Sequence, residues 1–181
     1  MKEPTVYIIL FRGVGGKTQL PVAKLREALS QAGFENVATY INSGNAVLKS
    51  TLAREEVAAK IVEICARDFA FNKDVHVVTR VEWERLIADN PFPQAVDTPK
   101  NLHAAILVGE PDPARVAALR EVAIDGEGIE VVGTVAYLFT PHGFGRSKLA
   151  EKFDKGIGVA NTARNWNTVL KLAQLAQLAE T

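Results

Sequence analysis

Hydrophobic and polar positions along this chain alternate between two periods, and the switches between them mark out short elements. Val6–Phe11 is a largely apolar run of strand length. It is followed by Pro21–Ala32, where Leu25, Ala28, Leu29 and Ala32 recur at helical spacing. Pro21 suits a first helical position and Gly33 a C-terminal cap. Val37–Ile41 and Ala46–Lys49 read as strands joined by Asn42-Ser43-Gly44-Asn45, residues that tolerate positive φ, so a hairpin is expected. Leu52–Phe69 predicts a long amphipathic helix with Ala58, Ile61, Val62, Cys65 and Phe69 on one stripe, and Val75–Thr79 a fourth strand.

That order of strand, helix, strand, strand, helix, strand matches the split βαβ unit of ferredoxin-like folds. A helix over Val81–Asp89 then leads to Asn90-Pro91-Phe92-Pro93 and a polar stretch to Lys100, where the spaced prolines favour irregular chain. A division here gives subdomains 1–92 and 93–181. The second half begins the same cycle with strand Leu102–Val108, helix Pro113–Val122, and strands Glu130–Val132 and Val135–Thr140 around Gly133-Thr134. From Arg146 onward the pattern reads as two helices separated by Gly156-Ile157-Gly158, without a closing strand. The expected class is therefore α+β, two tandem ferredoxin-like (split βαβ) subdomains with C-terminal helices.

The last of these helices is expected to open with Thr162-Ala163-Arg164-Asn165-Trp166-Asn167-Thr168-Val169. On a helical period Trp166, Val169, Leu170 and Ala173 form an apolar stripe, and Arg164, Asn167, Thr168 and Lys171 share another face. Asn and Thr are mediocre helix formers, so their density here points to a second demand on them.

Composition narrows the function classes. Lys plus Arg and Asp plus Glu balance at 21 each, so no global field draws in nucleic acid or a membrane surface, and any anion site must be local. No apolar run approaches the ~20 residues of a membrane span, and Met1-Lys2-Glu3-Pro4 passes straight into a strand pattern without a cleavage site, so a cytoplasmic protein is expected. The single cysteine, Cys65, reads as core filler. His76, His103 and His142 show no metal-ligand spacing, and the acidic pairs fall on helical surfaces, so no metal, cofactor or general base is assigned.

Three polar clusters remain as candidates. Arg12-Gly13-Val14-Gly15-Gly16-Lys17-Thr18 follows a buried strand, and its amides and Lys17 can cradle an anion or form a plain turn. It is not a P-loop: the glycine required five positions before Gly16 is Phe11. Pro141-His142-Gly143-Phe144-Gly145-Arg146-Ser147-Lys148 runs from a strand into a helix that Ser147 can cap. Arg146 and Lys148 there oppose the helix dipole by ~0.3 to 1 kcal/mol each unless an anion or water relieves them. The third cluster is the Arg164 helix, where Trp166 anchors the core and Asn165 and Asn167 are alternatively caps.

Four motifs in order, Arg12-Gly13 with Gly15-Gly16-Lys17, Tyr40-Ile41-Asn42-Ser43-Gly44-Asn45, Gly145-Arg146-Ser147-Lys148-Leu149 and Arg164-Asn165-Trp166-Asn167-Thr168, resemble domain-of-unknown-function family 1697. The resemblance implies a bacterial cytoplasmic protein of two ferredoxin-like halves and implies no activity, cofactor or catalytic set. The first loop is shorter here than is usual in that family and lacks its Asn. The residues themselves favour binding of an anionic, phosphate-bearing small ligand in a groove between the halves. Its expected site residues are Arg12, Lys17, Asn42, Ser43, Asn45, Arg146, Ser147, Lys148, Arg164, Asn167 and Thr168. The alternatives are an enzyme acting on such a ligand, kept open by Ser43 and Ser147, or a protein that binds a nucleic-acid backbone.

Overall fold

The structure is a computed structural model that describes residues 2–15, 18–41 and 44–181. Among the described residues the chain forms eight strands and six α-helices, in two four-stranded antiparallel sheets. They belong to two compact units, one of Met1–Arg85 with Lys171–Thr181 and one of Leu86–Leu170. No described helix is long and apolar enough to cross a membrane.

In the first unit β1 (Thr5–Phe11), α1 (Val22–Gln31), β2 (Glu35–Tyr40), β3 (Asn45–Ser50), α2 (Arg54–Phe69) and β4 (Val75–Thr79) build a sheet of order β2-β3-β1-β4. Tyr7, Ile9 and Phe11 on one face of β1 join Ala46, Leu48 and Val77, and pack with Leu25 and Leu29 of α1 and Val57, Ile61 and Cys65 of α2. Leu25 and Leu29 are buried as the helical spacing requires, whereas Val62, expected on the stripe of α2, is 42% exposed. Strand alternation sends Val6, Ile8 and Leu10 to the opposite face, and they are buried too. The C-terminal end of the last helix is tied to this unit. The Asn36 side chain donates to the Ala179 carbonyl at 2.9 Å, Lys49 Nζ to the Glu180 carbonyl at 2.8 Å, and Arg80 Nε meets Glu180 Oε2 at 3.1 Å.

The helix α3 (Arg80–Ala88) follows β4 directly. Thr79 Oγ1 accepts the Glu82 N–H and Glu82 Oε2 accepts the Thr79 N–H at 2.9 Å, a reciprocal cap that explains a helix starting without a loop.

The second unit repeats the cycle with β5 (Leu102–Leu107), α4 (Pro113–Val122), β6 (Gly128–Val132), β7 (Val135–Phe139), α5 (Lys148–Gly156) and β8 (Asn161–Asn165), in order β6-β7-β5-β8. The closing strand that the sequence pattern did not reveal is β8. Thr162, Ala163, Arg164 and Asn165 pair with Ile106, Ala105, Ala104 and His103 of β5, so this segment is strand where a helix was expected. The reason is local: a five-residue edge strand with only Ala163 packed against the helix-side core carries no apolar alternation to read.

Helix α6 (Trp166–Glu180) begins after the strand, and Asn165 Oδ1 accepts the Thr168 N–H at 3.0 Å as its N-cap. The shared face of Arg164, Asn167, Thr168 and Lys171 therefore does not exist. The buried stripe is Trp166, Val169, Leu172, Ala176 and Ala179, and Leu170 is 45% exposed.

The division expected after residue 92 falls inside the second unit. Residues 90–101 are packed chain: the Phe92 ring lies 5.9 Å from that of Phe139, and Ala95 is buried in a 3-10 turn.

Gly44 gives this fold a direct test. A Cβ there, at φ +76, would sit 2.7 Å from Val14 Cγ2 and 2.8 Å from Phe11 Cβ. Gly44→Ala is expected to cost about 2 to 4 kcal/mol, the left-handed backbone penalty of ~1 to 2 kcal/mol plus overpacking. Gly33→Ala, at φ +89 with no atom within 4 Å, should cost the backbone part alone. Urea denaturation of both variants checks the order, and equal losses would contradict it.

Candidate functional site

In the first unit the register of the sheet brings the first polar cluster and the Tyr40–Asn45 motif to one end. Phe11 N–H donates to the Gly44 carbonyl at 2.9 Å and Gly44 lies against Val14, so the loop after β1 and the β2–β3 hairpin pack on each other. Lys17, Asn42 and Ser43 lie outside the described residues, as does Gly16. The Gly15 and Thr18 amides donate to each other's carbonyls at 2.6 and 2.9 Å, so neither is available to an anion. Ile41 holds φ +45 and is 49% exposed, a costly conformation for a β-branched residue.

Tyr40 pairs with Asn45, Asn45 with Leu10, and Leu10 with His76, so these side chains form a row on the sheet face opposite α1 and α2. Arg12 continues the ladder by donating its N–H to the Asp74 carbonyl at 3.2 Å. Strand alternation places it diagonal to His76, about 7 to 8 Å away and within reach of a long side chain. Asn45 is fully buried, and its Nδ2 donates to the Tyr40 carbonyl at 3.2 Å, which makes it a strut of the hairpin. Sequence periodicity did not single out His76 as a partner of Arg12, because the relation follows from strand register alone.

In the second unit the loop after β7 and the β8–α6 junction both reach His103. Its register partner is Asn165, and its ring stacks on Phe144 with centroids 3.8 Å apart. Ser147 is buried and accepts the Ala150 N–H at 3.1 Å, the capping role its position suggested. The amides of Gly143, Arg146 and Ser147 are bonded within the loop to Thr140, Gly143 and Phe144, so an anion here would meet side chains more than backbone. Arg146 and Lys148 are exposed, Asn167 is exposed, and Thr168 is buried with its N–H on the Asn165 cap.

Arg164 stands apart from these. It pairs with Ala104, whose neighbour across β7 is Tyr137, on the face opposite α4 and α5. Its Nη1 donates to Thr162 Oγ1 at 2.7 Å and to the Ala163 carbonyl at 2.8 Å. Burial lowers its pKa to about 10, so the guanidinium is partly desolvated and still cationic near neutral pH. On the same face Tyr137 is fully buried, donates its hydroxyl to the Leu86 carbonyl at 2.6 Å and tilts against Trp166. The second and third sequence clusters thus meet at His103, through Phe144 and Asn165, while Arg164 faces away from α5.

Other reactive groups are structural. Cys65 is buried, and desolvation pushes its thiol up to about 12. Among the described residues no group of three or more His, Cys, Asp or Glu side chains is placed to hold a metal ion.

Comparison with known proteins adds a family and a fold. The model of the family described as "Protein of unknown function (DUF1697)" matches residues 5–137. The conserved bacterial protein SP0830 from Streptococcus pneumoniae is similar in structure, with a TM-score of 0.74 and 22% identity over 96% of this chain and 99% of that one. Protein BT0572 from Bacteroides thetaiotaomicron aligns over 97% of this chain and 96% of its own at 11% identity, with a TM-score of 0.21. No curated protein matches the chain.

His103 yields a test of this geometry. Burial lowers its pKa to about 4 from the ordinary 6.5, and its Nδ1 has no hydrogen-bond partner. Below pH 6.5 the unfolded chain takes up a proton that the folded chain refuses, so stability falls as pH drops from 6.5 to about 4 and the contribution is complete below that. In His103→Gln the fall in urea midpoint across this window is expected to be shallower than in wild type. Parallel curves would contradict the half-buried, neutral imidazole.

Proposed function

For this chain, which belongs to the DUF1697 family of proteins of unknown function, we propose binding of an anionic, phosphate-bearing small molecule with Arg164 as its charge partner. One observation carries the reading: the guanidinium is partly desolvated and held in a fixed pose by Thr162 and the Ala163 carbonyl. A cation in such surroundings attracts an anion more strongly than the same group in bulk water, because the effective dielectric is lower. Its planar fork also matches phosphate and carboxylate oxygens in a way a lysine does not.

A second reading, an enzyme acting on such a ligand, is favoured by one feature of the first unit. Strand register makes His76 and Arg12 diagonal neighbours on one sheet face, which sets an imidazole within reach of a cation.

Thermal shift against a panel of phosphorylated metabolites separates these. Wild type is expected to be stabilised by at least one compound, increasingly as concentration passes its Kd. Arg164→Gln should abolish that shift while lowering intrinsic stability by no more than about 3 kcal/mol for the lost hydrogen bonds. If Arg12→Gln abolishes it and Arg164→Gln does not, the site is the first-unit row. No response of wild type to any compound would overturn the anion reading.

A further inference from the structure

Helix α5 carries a feature independent of Arg164. Lys148, Lys152 and Lys155 are exposed at i, i+4 and i+7, which places them within about 60° of one another around the helix and along about 10 Å of its length. Exposed Arg146 precedes them by two positions. The stripe is turned from the core, since Leu149 and Phe153 are the buried residues of α5. At the far end Arg115 packs over Gly158 and donates Nη1 to the Gly156 carbonyl at 3.4 Å, extending the positive field.

Several other arginines have acidic partners: Arg54 meets Glu82 at 2.7 Å, Arg80 meets Glu84 at 2.6 Å and Arg120 meets Glu130 at 2.7 Å. Among the described residues no ion pair engages Arg146, Lys148, Lys152 or Lys155. Of the two acidic residues on α5, Asp154 accepts from Asn161 Nδ2 at 3.1 Å, and exposed Glu151 borders the stripe, about 60° around the helix from Lys148 and about 40° from Lys155. In a chain whose charges otherwise balance, three lysines on one stripe with Arg146 just before it outnumber the two acidic residues of the helix and leave a net positive local field.

We infer that this stripe is a contact surface for the phosphate backbone of duplex nucleic acid. A duplex presents one charge per about 1.7 Å of axis, so the length of α5 faces more phosphates than its cations need. The stripe offers charge without apolar anchors, because the large apolar side chains of α5 are in the core, and that disfavours insertion at a lipid surface. It also offers no base-reading groups, so binding is independent of sequence.

The test is fluorescence anisotropy of a mixed-sequence DNA duplex with the full chain across a salt series. Wild type is expected to bind at low salt with a log–log slope of about −3 to −4, one counterion released per contact. The triple variant Lys148→Ala, Lys152→Ala, Lys155→Ala is expected to fall to a slope near −1, with an unchanged circular dichroism melt because the side chains are exposed. Arg164→Gln should leave the slope unaltered, which keeps this result separate from the small-ligand reading. No association at the lowest salt, an unchanged slope in the triple variant, or binding to anionic phospholipid vesicles without binding to the duplex would each overturn the inference.

Discussion

Both faces of the central strand in each sheet must be kept from water, and the architecture follows from that. β1 sends Tyr7, Ile9 and Phe11 to one side and Val6, Ile8 and Leu10 to the other, none more than 5% exposed. Removing that apolar area from water stabilises the fold at roughly 25 cal/mol per Å², provided something covers both sides. Two helices cover one face, and that requirement sets the strand, helix, strand, strand, helix, strand order. In the second unit β5 does the same with smaller residues: Ala105 and Leu107 face α4 and α5, while Leu102 and Ala104 line the other side. The helix that follows the fourth strand, α3 or α6, starts without a loop in each case because the last strand residue caps it, Thr79 in one and Asn165 in the other.

The long apolar periods were legible in the sequence and the short polar ones were not. Leu25 and Leu29 at helical spacing, and Val75–Thr79 between polar flanks, leave little choice of element, and α1 and β4 lie where the pattern puts them. β8 was hidden because Asn161-Thr162-Ala163-Arg164-Asn165 is polar, and its strand state is imposed by hydrogen bonding to β5 rather than by its own residues. The apolar stripe of α6 was misplaced for a different reason: the pattern extends it from Trp166 toward Leu170, whereas Trp166 stands at one edge of the buried face, which runs the other way through Val169 and Leu172. The prolines around Phe92 suggested irregular chain at a division, yet Phe92 is a packing residue against Phe139.

The candidate chemistry divides along the same line. Residue type alone marked Ser147, Asn45 and Thr168 as possible ligand groups, and in each the polar side chain or its neighbouring amide is committed to closing a helix or hairpin. Position on a sheet face, which only register supplies, distinguishes Arg164 from Arg146 and pairs Arg12 with His76. An arginine on a short edge strand is fixed by its strand and its neighbours Thr162 and Ala163, whereas an arginine before a helix extends into solvent. Rigid placement reduces the ordering cost that a ligand must otherwise overcome, which is why the proposed function rests on the half-buried arginine even though the exposed ones produce the larger field.

The central claim is that Arg164 is the charge partner of an anion. It is tested most directly by nuclear magnetic resonance of arginine side-chain Nε–H groups during titration with inorganic pyrophosphate. The account predicts that the Arg164 Nε–H signal moves progressively and saturates, ahead of those of Arg146 and Arg115. Movement confined to the exposed arginines without saturation, with Arg164 unchanged, would contradict it.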